Sequence, residues 1–205
     1  MNGSSELRSQ GGLETIQAQL QNALRLCQKQ SIQYHKLMEE SLGELMDYAN
    51  TVTQLTYVNS DNWGALTPFM DFHTEIFERI QLDILDKENK CLETLKRFNN
   101  VITQMTLEVG KIKYVRKSLQ QNRTDLNLEM VYILNGLSTI NDIETIVDLL
   151  VTSFQKDAVM RRDIVRDIQN ATADQMGVYA SAWKYGPLLD REIEQRFRSL
   201  LENEL

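Results

Sequence analysis

The chain has 205 residues, 25% of them charged and 42% hydrophobic, with a formal net charge of -7. That length allows one or two domains with a real core. The acidic balance argues against non-specific binding to nucleic acid or to an anionic membrane. Nine Gly and two Pro are few breakers for such a chain, so long uninterrupted helices are expected.

Residues 1–12 are rich in Ser, Gly and Gln and read as a disordered tail. A helix is expected from about Leu13 to Val58. Leu13, Ile16, Leu20, Ala23, Leu24, Cys27, Tyr34, Leu37, Met38, Leu42, Leu45, Met46, Ala49, Val52 and Leu55 place an apolar stripe along it. The stripe turns polar at Gln30, and its register shifts near Leu37, which reads as a break or a local unwinding. Asn59, Ser60, Asp61 and Asn62 form a turn cluster.

Thr67-Pro68 then reads as a helix start, with Thr67 as N-cap and Pro68 in the first turn. From there to about Asn122 the pattern is a heptad. Phe77, Ile84, Cys91, Phe98, Met105, Ile112 and Leu119 recur at every seventh position, and Leu95, Ile102 and Val109 supply the second row. At about 1.5 Å per residue this helix would reach roughly 80 Å. Such a stripe is buried either by the first helix folding back or by another chain. A partner-binding seam is expected at Phe98, Ile102, Met105, Val109 and Ile112. Burial of each would contribute on the order of 1.5–3 kcal/mol before ordering costs.

Residues 122–125 break the heptad, and Leu126 to Leu137 is apolar without a clean period. A third long helix is expected from Ser138 to Asn170, on Ile140, Ile143, Val147, Leu150, Phe154, Ala158, Ile164, Val165 and Ile168. Thr172 or Asp174 would cap a fourth, short helix holding Met176, Tyr179, Ala180 and Trp183, and Gly186-Pro187 would stop it. A last helix carries Leu189, Ile193, Phe197, Leu200 and Leu201. No alternating strand pattern occurs. The expected fold is all-α, a long-helix bundle or antiparallel coiled coil with a C-terminal helical hairpin. Its regions are the tail (1–12), the long hairpin (13–125) and the C-terminal helical part (126–205).

The residues show little chemistry. His35 and His73 lack partners at metal-ligand spacing. No nucleophile elbow, phosphate-cradling glycine loop or Walker-type lysine is present. No metal, cofactor or catalytic residue is expected, and the chain reads as a non-enzyme. Cys27 and Cys91 read as small buried hydrophobes in a reducing compartment. No apolar run approaches the roughly 20 residues that span a bilayer, and the N-terminus lacks a signal-peptide core. The sequons at Asn122 and Asn170 therefore read as chance matches. Arg198 with Leu200 fits a loose cyclin-docking pattern, yet both leucines also fit the core stripe of the last helix. Thr67-Pro68 is a minimal proline-directed phosphorylation site, already explained by the cap.

Tyr179 and Trp183 lie one turn apart on the fourth helix, just before Pro187. They read as an aromatic plug in a helical hairpin, with a partner-binding hot spot as the alternative. Arg161, Arg162 and Arg166, then Asp174, then Tyr179, Ser181, Trp183 and Pro187, then Leu200, Leu201 and Glu202 follow one another here. This order resembles the C-terminus of the CINP family of cyclin-dependent-kinase-interacting proteins. There a basic helix and a turn precede a Tyr-x-Ser-x-Trp-x-x-x-Pro motif and a leucine-rich helix. The specific match covers roughly the last 50 residues. The central helix matches only in length and character.

The resemblance implies an adaptor without catalytic activity, nuclear or cytoplasmic, that works with a valosin-like AAA+ ATPase and a second small helical subunit. It implies roles in large-subunit ribosome biogenesis, DNA replication and genome maintenance, with cyclin-dependent or replication kinases among the partners. The alternative is a structural coiled-coil subunit of a spindle, kinetochore or tethering complex.

Overall fold

The computed structural model describes residues 3–60, 64–121 and 139–202. Among these residues all regular structure is helical: α1 (Gly3–Val58), α2 (His73–Gln121), α3 (Ile140–Asp167), α4 (Ala173–Tyr185) and α5 (Arg191–Glu202). Short 3-10 segments at Gly64–Phe72 and Ile168–Asn170 precede α2 and follow α3. The all-α class is as expected. The weakly patterned stretch from Leu126 to Leu137 and the break at 122–125 lie outside the described residues.

The chain divides into two compact units. The first comprises Met1–Gln33, Asn100–Gln155 and Leu188–Leu205, and the second Tyr34–Asn99 and Lys156–Pro187. The three long helices contribute to both.

In the first unit, α2 and α3 run antiparallel. Lys113 pairs with Asp148 at 2.8 Å and, further along α2, Arg116 pairs with Glu144 at 2.9 Å, an earlier residue of α3. Met105, Ile112, Ile143, Val147, Leu150 and Phe154 are buried in this unit, as are Leu20, Leu24 and Cys27 of α1. Burial, and then the Glu108 carboxylate, push the Cys27 thiol up to about 12, so it stays a neutral thiol. α5 buries Ile193, Phe197, Leu200 and Leu201. The two leucines of the loose docking pattern are thus core residues.

In the second unit, α1 and α2 run antiparallel. Arg97 approaches Glu40 at 3.5 Å, while the earlier Thr94 donates at 2.7 Å to the later Glu44. Gln169 donates to Glu88 at 3.3 Å, linking the end of α3 to α2. Ile84, Cys91, Leu95 and Phe98 turn into this core with Tyr48, Val52, Ile164 and Ile168. Burial, above all, pushes the Cys91 thiol up to about 12 as well.

Three expectations are corrected here. First, α1 starts at Gly3 rather than Leu13. No proline lies in residues 1–12, and a helix already nucleated downstream extends through Gly11 and Gly12 at a cost of about 1 kcal/mol each. Second, α1 does not break or slip near Leu37. Leu20, Cys27, Tyr34, Ser41 and Tyr48 form one seam row, and Leu24, Ser31, Met38, Leu45 and Val52 the other, in unbroken heptads. Ser41 is buried and donates to the Leu37 carbonyl at 2.5 Å, which satisfies its hydroxyl inside the seam. The apparent slip came from serines standing where hydrophobes were sought. Third, Thr67 does not cap α2. Pro68 lies inside the 3-10 segment, and the α-helix begins at His73. Proline disfavours the α conformation at the residue before it, so the helix does not extend back through Thr67.

The caps of the later helices follow the sequence closely. Thr139 and Asp142 bond reciprocally at the start of α3, through Thr139 N–H to Asp142 at 3.2 Å and Asp142 N–H to Thr139 Oγ1 at 3.1 Å. Thr172 and Gln175 form the same box at α4. Asp190 accepts from Ile193 N–H at 3.0 Å at α5. Gly186 ends α4 in the left-handed region at φ 53°, and its N–H reaches the Ala182 carbonyl. A side chain there would be strained, which is why glycine stands at this turn.

Candidate functional site

The most specific cluster of polar side chains lies inside the second unit, and it begins with a violation of the heptad. The rows of α3 are Ile140, Val147, Phe154, Arg161 and Ile168, and Ile143, Leu150, Asp157 and Ile164. Arg161 and Asp157 occupy core positions one turn apart, and both are 0% exposed. Removing two such ions from water costs several kcal/mol each unless the surroundings restore their bonds.

Here the surroundings restore part of those bonds, while Asp157 Oδ1 and Arg161 Nη2 stay buried without a hydrogen-bond partner. Arg161 Nε donates to Asp157 Oδ2 at 2.6 Å, and Arg161 Nη1 donates to the Trp183 carbonyl at 2.8 Å. That carbonyl belongs to the last turn of α4, where a cation also meets the negative end of the helix dipole. The guanidinium carbon lies 5.0 Å from the Phe98 ring centroid and 4.9 Å from that of Trp183, within cation–π range of both. Phe98 and Trp183 meet edge to face at 6.2 Å and 80°.

Tyr34 of α1 adds a second donor to the same carboxylate oxygen. Its hydroxyl donates to Asp157 Oδ2 at 2.8 Å, and its ring lies 4.8 Å from Phe98. Burial, then the Asp157 charge, push the phenol well above its ordinary range despite the opposing Arg161, so Tyr34 remains a donor. Trp183 Nε1 donates to Ser41 Oγ at 3.0 Å, and Ser41 passes the chain on to the Leu37 carbonyl. One continuous network thus ties α1, α3 and α4 together around Phe98 of α2.

The network has no face on solvent. Tyr34, Asp157 and Arg161 are 0% exposed and Trp183 is 1% exposed, so the bonds the network makes are all made within the fold. Its chemistry is recognition within the chain. It fixes where α4 docks and which turn of α3 lies beside Tyr34.

The residues singled out from sequence divide accordingly. Phe98, Ile102, Met105, Val109 and Ile112 are all buried by the chain itself, from 0% to 7% exposed. They are core rather than the open partner seam expected of them, because α1 and α3 supply the covering rows. Trp183 is core, Tyr179 is half-buried, and Ser181 and Pro187 are exposed. Only Trp183 of that motif enters the network. Of the three arginines in the basic-helix resemblance, Arg162 and Arg166 face solvent, while Arg161 is core. Asp157, Tyr34 and Ser41 were missed as partners. The signal available was spacing, since Arg161 falls seven residues after Phe154 and seven before Ile168.

His73 Nε2 lies 3.2 Å from the Val58 carbonyl, and its ring stacks on Phe77 at 6.1 Å. It joins the start of α2 to the end of α1. Among the described residues, no group of three His, Cys, Asp or Glu side chains is placed to hold a metal ion. Nor is any helix among them long and apolar enough to cross a membrane. No protein-family model matches the sequence, and no curated protein matches it.

Proposed function

We propose that this chain is a non-catalytic helical adaptor, which works by presenting helix faces to other proteins. The observation that carries the reading is the closed network around Arg161. The chain's most specialised side chains are spent on fixing the placement of α4, so the fold holds a defined surface in register. A rod built only from heptads needs no such lock.

The resemblance to the CINP family narrows the proposal. In that reading the chain links a valosin-like AAA+ ATPase, together with a second small helical protein, to clients in large-subunit ribosome biogenesis and DNA replication. It acts in the nucleus or cytoplasm, and cell-cycle kinases are further partners. Trp183 then explains one part of the shared motif as a packing residue, which leaves exposed Ser181 and Pro187 as the motif positions open to contact.

Affinity purification of the tagged chain from its native cells, followed by mass spectrometry, tests this. AAA+ ATPase subunits are expected in the wild-type eluate, and a Ser181→Glu/Pro187→Ala variant is expected to reduce them without unfolding. Recovery of spindle, kinetochore or tethering proteins without any ATPase would contradict the proposal.

A further inference from the structure

Helix α2 carries a second seam that the chain leaves uncovered. Leu82, Leu85, Asn89 and Leu92 follow one another at steps of three, four and three, the spacing of a coiled-coil row. They lie on the side turned away from the core row of Ile84, Cys91 and Phe98, since steps of two or one residue rotate a helix by roughly 200° or 100°. Leu82 is 68% exposed, Leu85 54% and Leu92 41%. Single exposed leucines are ordinary, but three at seam spacing make a continuous apolar ridge. The one polar member, Asn89, stands where coiled coils use asparagine to set register and partner number.

The charges beside the ridge state what can cover it. The positions flanking the row are Arg79, Gln81, Asp86, Glu88 and Glu93, three acids against one base. From residue 71 to residue 93 there are seven acidic side chains and three basic ones. Three of these acids are already paired within α2, Asp86 with Lys90 at 2.6 Å, Asp83 with Lys87 at 3.4 Å and Glu93 with Lys96 at 2.6 Å. Glu75 and Glu78, exposed at the N-terminal end of the ridge, make no ion pair among the described residues. A second copy of the same ridge would set acid against acid, which opposes self-association. A helix with basic flanks meets the opposite condition.

We propose that Leu82, Leu85, Asn89 and Leu92 dock an amphipathic helix of a partner protein, with an apolar seam flanked by lysine or arginine. The partner's seam packs on the leucines, a polar residue meets Asn89, and its cations lie over Glu75 and Glu78 at the N-terminal end of the ridge and beside Glu88. This goes beyond the adaptor reading above and fails separately from it.

The probe is a labelled synthetic helix of about three heptads, with leucine in the seam, one asparagine opposite Asn89, and lysine on both flanks. A second probe carries glutamate on the flanks. Anisotropy titrations at physiological salt use the full chain and its Leu82→Ser/Leu85→Ser variant. These substitutions are on exposed positions and leave the net charge unchanged, and circular dichroism checks that the variant folds. The lysine probe is expected to bind the wild type, with at least tenfold weaker binding by the serine variant and at least tenfold weaker binding of the glutamate probe. No binding of the lysine probe, or equal binding by the variant (charge attraction alone), overturns the proposal. So does equal binding of the two probes. Concentration-dependent dimers of the wild type that the variant loses would assign the ridge to a second copy instead. If ATPase subunits still co-purify with the serine variant, the adaptor reading survives the loss of this one.

Discussion

Replacing Arg161 with alanine is expected to destabilise the chain by about 3–5 kcal/mol, the range for breaking a buried ion pair from one side. The loss has identifiable parts. The Asp157 carboxylate stays in the core with Tyr34 as its remaining donor. The Trp183 carbonyl loses its side-chain donor, and Phe98 and Trp183 lose the cation between them. The cost should therefore fall steeply when the charges are removed together. Tyr34→Phe/Asp157→Leu/Arg161→Met keeps the volume and abolishes the ions and the phenol donor, and apolar replacement of whole buried ion pairs is often neutral or stabilising by about 1–4 kcal/mol. Urea unfolding gives both numbers from the midpoint and slope. A wild-type midpoint for Arg161→Ala would show that the pair does not hold the second unit together. A triple variant as unstable as the single one would show that packing of Arg161, rather than its charge, is what matters.

Trp183→Ala is expected to cost about 3–5 kcal/mol, as large aromatic deletions in packed cores do. The residue is 1% exposed, meets Phe98 edge to face, and holds α4 to α1 through Ser41. Trp183→Phe keeps most of the ring but not the donor, and should cost about 1–2 kcal/mol, set by the lost bond to Ser41. Pro187→Ala, at an exposed position, should stay within about 0.5 kcal/mol of wild type. Thermal unfolding of the three variants ranks them. If Trp183→Ala melted with the wild type while Pro187→Ala did not, the motif would not work by packing. The ranking separates the members of one motif by burial, which their spacing alone does not do.

How much of this was legible depended on what each residue type announces. The α2 heptad was legible because an apolar residue stands at every seventh position from Ile84 to Leu119, all but Cys91 of them large. The α4 boundaries were legible because Thr172 and Gly186 are residue types with few other uses. The α1 seam was misread because Ser31 and Ser41 occupy it, and a small hydroxyl that bonds the preceding turn leaves no hydrophobic mark. Arg161 was misread for a related reason. An arginine declares its charge but not its partner, and Asp157 lies on the neighbouring row of the same helix, where it reads as polar surface. The covering of Phe98 to Ile112 was legible only as a choice between the chain's own helices and a second chain. A heptad row states that something covers it, while what covers it depends on which other helices the chain can bring alongside.

The central claim is that the long seam of α2 is closed by this chain's own helices. Hydrogen exchange of the purified chain tests it most directly, followed through α2 from residue 98 to residue 112 over a wide dilution series. The account expects slow exchange in this segment that does not change on dilution, because the cover belongs to the same molecule. Fast exchange there, or protection that fades as the chain is diluted, would contradict it and return Phe98, Ile102, Met105, Val109 and Ile112 to the role of an open seam waiting for a second chain.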